Sequence, residues 1–247
     1  MYISPEIVLE QVAGYAVGVA QLIPEIQNLA DKNYHIAMVP YGPYFYTGIL
    51  QAAGYLLLDD AKKKMIIISS QDEDAQNILV NGAPLDSFLG FQRENTPPIL
   101  KQIASKIKGK VIEKPNQTTL DKVQLQLPFI KVISQTETII HIGIGDKINA
   151  TKITTFTQWV QKNRSAYNIV FLHNFNLSTD KKNEKINDQK LISDTMKKPT
   201  VNGHPLMKIF HQIAKNGNKK PEIVAYSNPQ RLWSKANILT RYLCAVA

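Results

Sequence analysis

Three stretches constrain this chain more than any others: KMIIISS at 64–70, TIIHIGIG at 138–145 and NIVFLH at 168–173. Each is apolar along nearly its whole length, whereas a strand with one wet face alternates apolar and polar residues. A strand apolar on both faces must be covered on both, which is the mark of a mostly parallel or mixed sheet between two helical layers. Shorter runs at 35–40 (HIAMVP), 222–226 and 238–246 add strands. Amphipathic segments between them predict helices over 4–22, 47–58, 97–108, 118–134, 151–163 and 203–215. Ser4 caps the first, with Pro5 at its opening position, and Thr47 caps the second. Strands alternating with helices make an α/β fold. No repeat or linker interrupts it, so residues 1–247 form a single domain. The stretch 178–200, DKKNEKINDQKLISDTMKK at its centre, is polar and reads as a long loop or insertion.

Composition removes several classes. The single cysteine, Cys244, rules out an internal disulfide framework and a cysteine-only zinc site, and it sits on an apolar strand as a small buried hydrophobe. A reducing, cytoplasmic setting is expected. The run IVLEQVAGYAVGVAQLI is apolar, but it contains Glu10 and Gln11 and no basic residue precedes it. It predicts an amphipathic helix rather than a signal peptide or membrane span. Net charge is +9, from 29 basic and 20 acidic residues. The lysines are scattered in groups at 62–64, 101–114 and 180–198, without the interleaved aromatics of a nucleic-acid platform. They read first as solvated faces, and a nucleic-acid or anionic-surface binder ranks behind the readings below. There is no Gly-rich phosphate loop, nucleophile elbow or H-E-x-x-H motif. His35 and His141, on apolar strands, are expected as core histidines.

In open α/β sheets ligands gather outside the carboxyl ends of the strands. That makes 41–46, 71–74, 143–147 and 173–176 candidates for one pocket. The first lies in VPYGPYFYTG, whose tyrosines, prolines and glycines exceed what a surface loop needs.

Several of these segments match one family in order. VPYGPYFYTGILQAAGYLLL resembles the P-H-A-G-Y-x-Y-S-G-x-x-A-A-x-A-Y segment of the Memo family, also called AmmeMemoRadiSam system protein B. VQLQLPFIKV resembles its H-S-x-E-V-Q-L-P-F-L, and VFLHNFNLS its V-x-S-S-D-F-S-H. TVNGHPLMKIFHQIAKNG, VAYSN and TRYLCAVA resemble its closing segments. The resemblance runs from about Ile36 to Val246. It implies a fold like that of the class III extradiol dioxygenases, which hold a mononuclear iron with two histidines and a carboxylate. In Memo proteins the comparable pocket carries His and Cys ligands, and metal-linked redox chemistry has been proposed for it.

The polar residues of the family do not carry over. The histidine of P-H-A-G-Y falls on Tyr41, and the pair after the second strand on Asp72 and Glu73. The Glu-His before V-Q-L-P-F falls on Leu120 and Asp121, and the glutamate inside that motif on Gln124. The aspartate of S-S-D-F falls on Asn174, the following histidine near Leu177, and the closing cysteine on Val201. First-row metals need imidazole, thiolate or carboxylate, so this set implies a degenerate site with no cofactor. Scaffold residues persist around it, among them Pro40, Gly48, Pro128 and Phe175.

The expected pocket therefore comprises Tyr41, Tyr44, Asp72, Gln124, His173, Asn174 and His204. Its expected function is that of a non-catalytic binding or scaffolding module for a protein or small-molecule partner. The alternative is a metal-dependent oxidoreductase or dioxygenase-like enzyme with a site rebuilt on Asp72, His173 and His204.

Overall fold

The computed structural model describes residues 5–22, 26–30, 34–83, 85, 97–176, 205–216, 221–227 and 240–247. Its strands are β1 (Ile36–Val39), β2 (Lys64–Ser70), β3 (Ile78–Asn81), β4 (Lys110–Ile112), β5 (Thr138–Ile144), β6 (Asn168–Leu172), β7 (Phe175–Asn176), β8 (Glu222–Ser227) and β9 (Thr240–Val246). They form one mixed sheet in the order β4-β3-β5-β2-β6-β1-β9-β7, with β8 beside β9. The four central strands, β5, β2, β6 and β1, are mutually parallel, and β3 and β9 run antiparallel to their neighbours β5 and β1. The fold is α/β.

The isoleucine runs explain the centre. Along β2, Ile66 and Ile68 face one side, packed with Leu100, Phe156 and Phe210. Met65 and Ile67 face the other, with Val12, Leu50 and Phe129. All four β2 residues are fully buried. Each such side chain contributes about 1.5–3 kcal/mol of transfer free energy. The helices on the first face are α4 (Pro97–Lys106), α7 (Ala150–Asn163) and α8 (Pro205–Asn216). On the second are α1 (Pro5–Leu22), α3 (Tyr44–Leu56) and α6 (Leu127–Ile133). The short α2 (Ile26–Ala30) adds to the second face, and α5 (Gln117–Gln124) leads into α6.

The sheet is mixed, as expected, parallel at its centre and antiparallel where β3, β8 and β9 join. Other expectations change, and the helix bounds differ. The single helix expected over 118–134 is two, α5 and α6, because Pro128 has no N–H and can enter a helix only in its first turn. α3 begins at Tyr44, not Thr47, with Pro43 before it. Thr47 is no N-cap: its hydroxyl donates back to the carbonyls of Gly42 and Pro43. Gly42, at φ 151°, occupies backbone that only glycine adopts readily and so turns the chain from β1 into α3. His35 is not a core residue: its side chain is 36% exposed and faces Asp59 at 3.8 Å. His141 and Cys244 are buried as expected. Ser4 and the 178–200 stretch lie outside the described residues.

Candidate functional site

β2, β6 and β1 are neighbours, so their carboxyl ends bring Ser70, Asn174 and Tyr41 side by side. Beyond Leu172 the two chains continue to hold together through a side chain. The Asn174 Nδ2 donates to the Tyr41 carbonyl at 2.6 Å, and the Tyr41 N–H donates to Asn174 Oδ1 at 3.0 Å. One amide side chain thus imitates the next rung of a strand ladder. The resemblance places an aspartate at this position. Asn174→Asp keeps the acceptor but turns the donor into an oxygen facing a carbonyl. It should cost about 1–3 kcal/mol, the usual effect of an unmatched buried polar group, read by urea denaturation at neutral pH.

The loop after β2 is ordered by its own first residue. The buried Gln71 donates through Nε2 to the carbonyls of Asp74 (2.6 Å) and Asn77 (3.2 Å), and its Oε1 accepts from the Asp74 N–H at 2.9 Å. This loop lies over Gly145, where any Cβ would overlap the Ala75 carbonyl oxygen. It carries Asp72 outward, exposed to solvent. Glu73 turns the other way and holds the start of α5. Its carboxylate accepts from the Asn116 N–H at 2.7 Å and the Thr119 hydroxyl at 3.3 Å. Asn116 caps the same helix through Thr119 N–H at 2.8 Å.

Anchored this way, α5 delivers Lys122 into the ends of the strands. Lys122 is 7% exposed. Its ammonium donates to the Ser70 carbonyl (3.0 Å) and lies 3.1 Å from the Ser70 hydroxyl. It sits 5.4 Å from the centre of the Tyr41 ring, within range of a cation–π contact. Burial lowers its pKa, opposed by Asp72 and Glu73. The Tyr41 phenol is raised, first by burial and then by Asp72, against a hydrogen bond from Ser70. One strand away, His141 is fully enclosed with Nε2 2.9 Å from the Ser69 hydroxyl. Burial, with the Lys122 charge adding, pushes its imidazole down to about 3.

The other expected pocket residues have other places. Tyr44 is a strut: its hydroxyl donates to the Leu125 carbonyl at 3.0 Å, and its ring stands edge-on to Phe129 at 5.2 Å. Gln124 ends α5 half-buried, whereas Gln126 is the glutamine built into the core, its Oε1 accepting from the Tyr55 hydroxyl at 3.2 Å. His173 follows β6, half-buried, its N–H donating to the Val39 carbonyl at 3.1 Å. His204, with Leu177 and Val201, lies outside the described residues. The structure therefore joins Tyr41 and Asn174 directly and sets Asp72 within electrostatic reach of Tyr41. Its centre, Lys122, is a residue the sequence reading passed over. A signal existed: Thr119, Lys122 and Val123 are the inward residues of α5, spaced i, i+3, i+4.

No family model matches this chain, and no curated protein matches it. Among solved structures, an uncharacterized protein of Escherichia coli K12, JW3007, is similar over 85% of this chain and 98% of that one, at 12% identity and a TM-score of 0.49. A likeness of that size transfers no residue role. Among the described residues, no helix is long and apolar enough to cross a membrane.

Proposed function

We propose that this chain is a Memo-like domain in which a buried lysine stands where its resemblance implies a metal, and that it serves as a non-catalytic binding module. The supporting observation is the Lys122 ammonium, enclosed by Ser70 and the Tyr41 ring at the carboxyl ends of the central strands. A fixed cation there repels a divalent ion. The surrounding donors do not fit one either. Tyr41 resists ionisation because it is buried, and both amide atoms of Asn174 are engaged by the Tyr41 backbone. Asp72 is exposed, and the described residues contain no group of three His, Cys, Asp or Glu side chains able to hold a metal. General acid–base chemistry has little support as well, since Asn174 and Gln124 carry no transferable proton at neutral pH.

The test is elemental mass spectrometry of protein purified without chelator after exposure to iron, copper, zinc and manganese. Metal well below one equivalent is expected. Near-stoichiometric metal lost in an Asp72→Asn or His173→Ala variant would overturn the reading and restore the rebuilt-enzyme alternative.

A further inference from the structure

A lysine held out of water is a nucleophile in waiting as well as a charge. The Lys122 Nζ lies 3.1 Å from the Ser70 hydroxyl, and that hydroxyl is in turn hydrogen-bonded to the Tyr41 phenol. Amine, alcohol and phenol thus form one continuous chain at the carboxyl ends of β2 and β1. Tyr41 and Ser70 are half-buried and Asp72 is exposed, so the amine sits one side chain beneath the surface.

The titratable groups around this nitrogen come from three elements. His141, on β5, is neutral at neutral pH because it is enclosed. Tyr41, at the end of β1, keeps its proton because burial raises its pKa. Asp72 and Glu73, on the loop after β2, favour the ammonium, but burial outweighs them and lowers the Lys122 pKa. At neutral pH more of Lys122 is therefore free amine than of a solvated lysine. Desolvation of this kind activates a lysine toward carbonyl carbon.

We propose, as an inference that rests on the binding-module reading, that Lys122 captures a small uncharged aldehyde as a reversible imine beside Ser70 and Tyr41. The electron pair of the free amine forms the N–C bond and gives a carbinolamine. The carbinolamine C–O bond then breaks and water leaves. Both amine protons end on that water, relayed by the Ser70 and Tyr41 hydroxyls, which finish unchanged. Lys122 is 7% exposed, which keeps the aldehyde small. Asp72 and Glu73 act against one that carries a carboxylate.

The test treats the full chain at pH 7 with propanal and cyanoborohydride, which reduces the imine to a propylamine, and reads each lysine by peptide mass spectrometry. Lys122 is expected to be propylated faster than the exposed Lys101 and Lys106. Glyoxylate, an aldehyde with a carboxylate, should lose that preference for Lys122. Ser70→Ala and Tyr41→Phe should each slow labelling at Lys122 by at least about tenfold, the effect of losing a proton relay, and leave Lys101 and Lys106 unchanged. Lys122 labelled no faster than the exposed lysines, equal preference with glyoxylate, or unchanged labelling in both variants would each overturn the proposal. Metal content is measured on the same sample. An unlabelled Lys122 with little metal overturns the aldehyde site alone, whereas near-stoichiometric metal overturns the binding-module reading with it.

Discussion

Acidification from neutral pH towards pH 3 should strip several kcal/mol from the stability of this fold through His141 alone. The imidazole is enclosed, and its pKa is pushed from the ordinary 6.5 down to about 3. In the folded chain it stays neutral across that interval, while in the unfolded chain it takes up a proton below 6.5. The unfolded state then binds more protons, so stability falls as pH drops, by about 1.4 kcal/mol per pH unit inside the window. Above 6.5 the contribution is fully present, and below about 3 it has gone. Carboxylates titrate in the same range, so the wild-type curve by itself does not isolate the histidine. The comparison with His141→Leu does. That substitution should leave few groups stranded, because Ser69 keeps a second acceptor, the Ser70 carbonyl at 3.2 Å, and His141 Nδ1 has no hydrogen-bond partner in the described structure. Urea denaturation at pH 7, 5 and 4 should show the variant losing less stability than the wild type. Parallel curves for the two proteins would sink the assignment.

The centre of the fold was legible because physics leaves a run such as MIII at 65–68 few alternatives. Four consecutive apolar, mostly β-branched residues need two covered faces, and β2 has them. The flanks were not legible for a different reason. β3 and β4 are four and three residues long, too short for period or composition to separate them from loop. Helix boundaries failed where proline decides them. Pro43 opens α3, so Tyr44 to Tyr46 form its first turn instead of a loop, and Pro128 splits one expected helix into two. At the candidate site the strand-end rule found Tyr41 and Asn174, because strand order alone sets them side by side. It missed Lys122, which in DKVQ looks like one more solvated lysine. The i, i+3, i+4 spacing of Thr119, Lys122 and Val123 marks an inward face of α5, but which way that face docks depends on Glu73 holding the start of the helix, a contact 43 residues away in sequence that local spacing does not encode.

Lys122 also carries the second large effect expected of this structure, and its sign depends on the replacement. Lys122→Glu places a carboxylate in the same enclosed spot, beside Asp72 and Glu73, with the Ser70 carbonyl facing it instead of accepting from it. An uncompensated buried charge of this kind costs about 3–5 kcal/mol. Lys122→Met keeps the length of the side chain and removes the charge. Ser70 is not stranded, since its carbonyl still accepts from Ser69 and its hydroxyl still meets Tyr41. Replacing a desolvated ion with a matched apolar side chain is commonly neutral or stabilising. Lys122→Met should therefore unfold at the wild-type urea concentration or above it, and Lys122→Glu well below. The contrast separates a retained cation from a structural one. If the methionine variant is at least as stable as wild type, the lysine is held at a cost to the fold, as a charge meant for a ligand would be. If the methionine variant falls as far as the glutamate variant, Lys122 is a structural hydrogen-bond donor to Ser70, and the binding-module reading loses the observation it stands on.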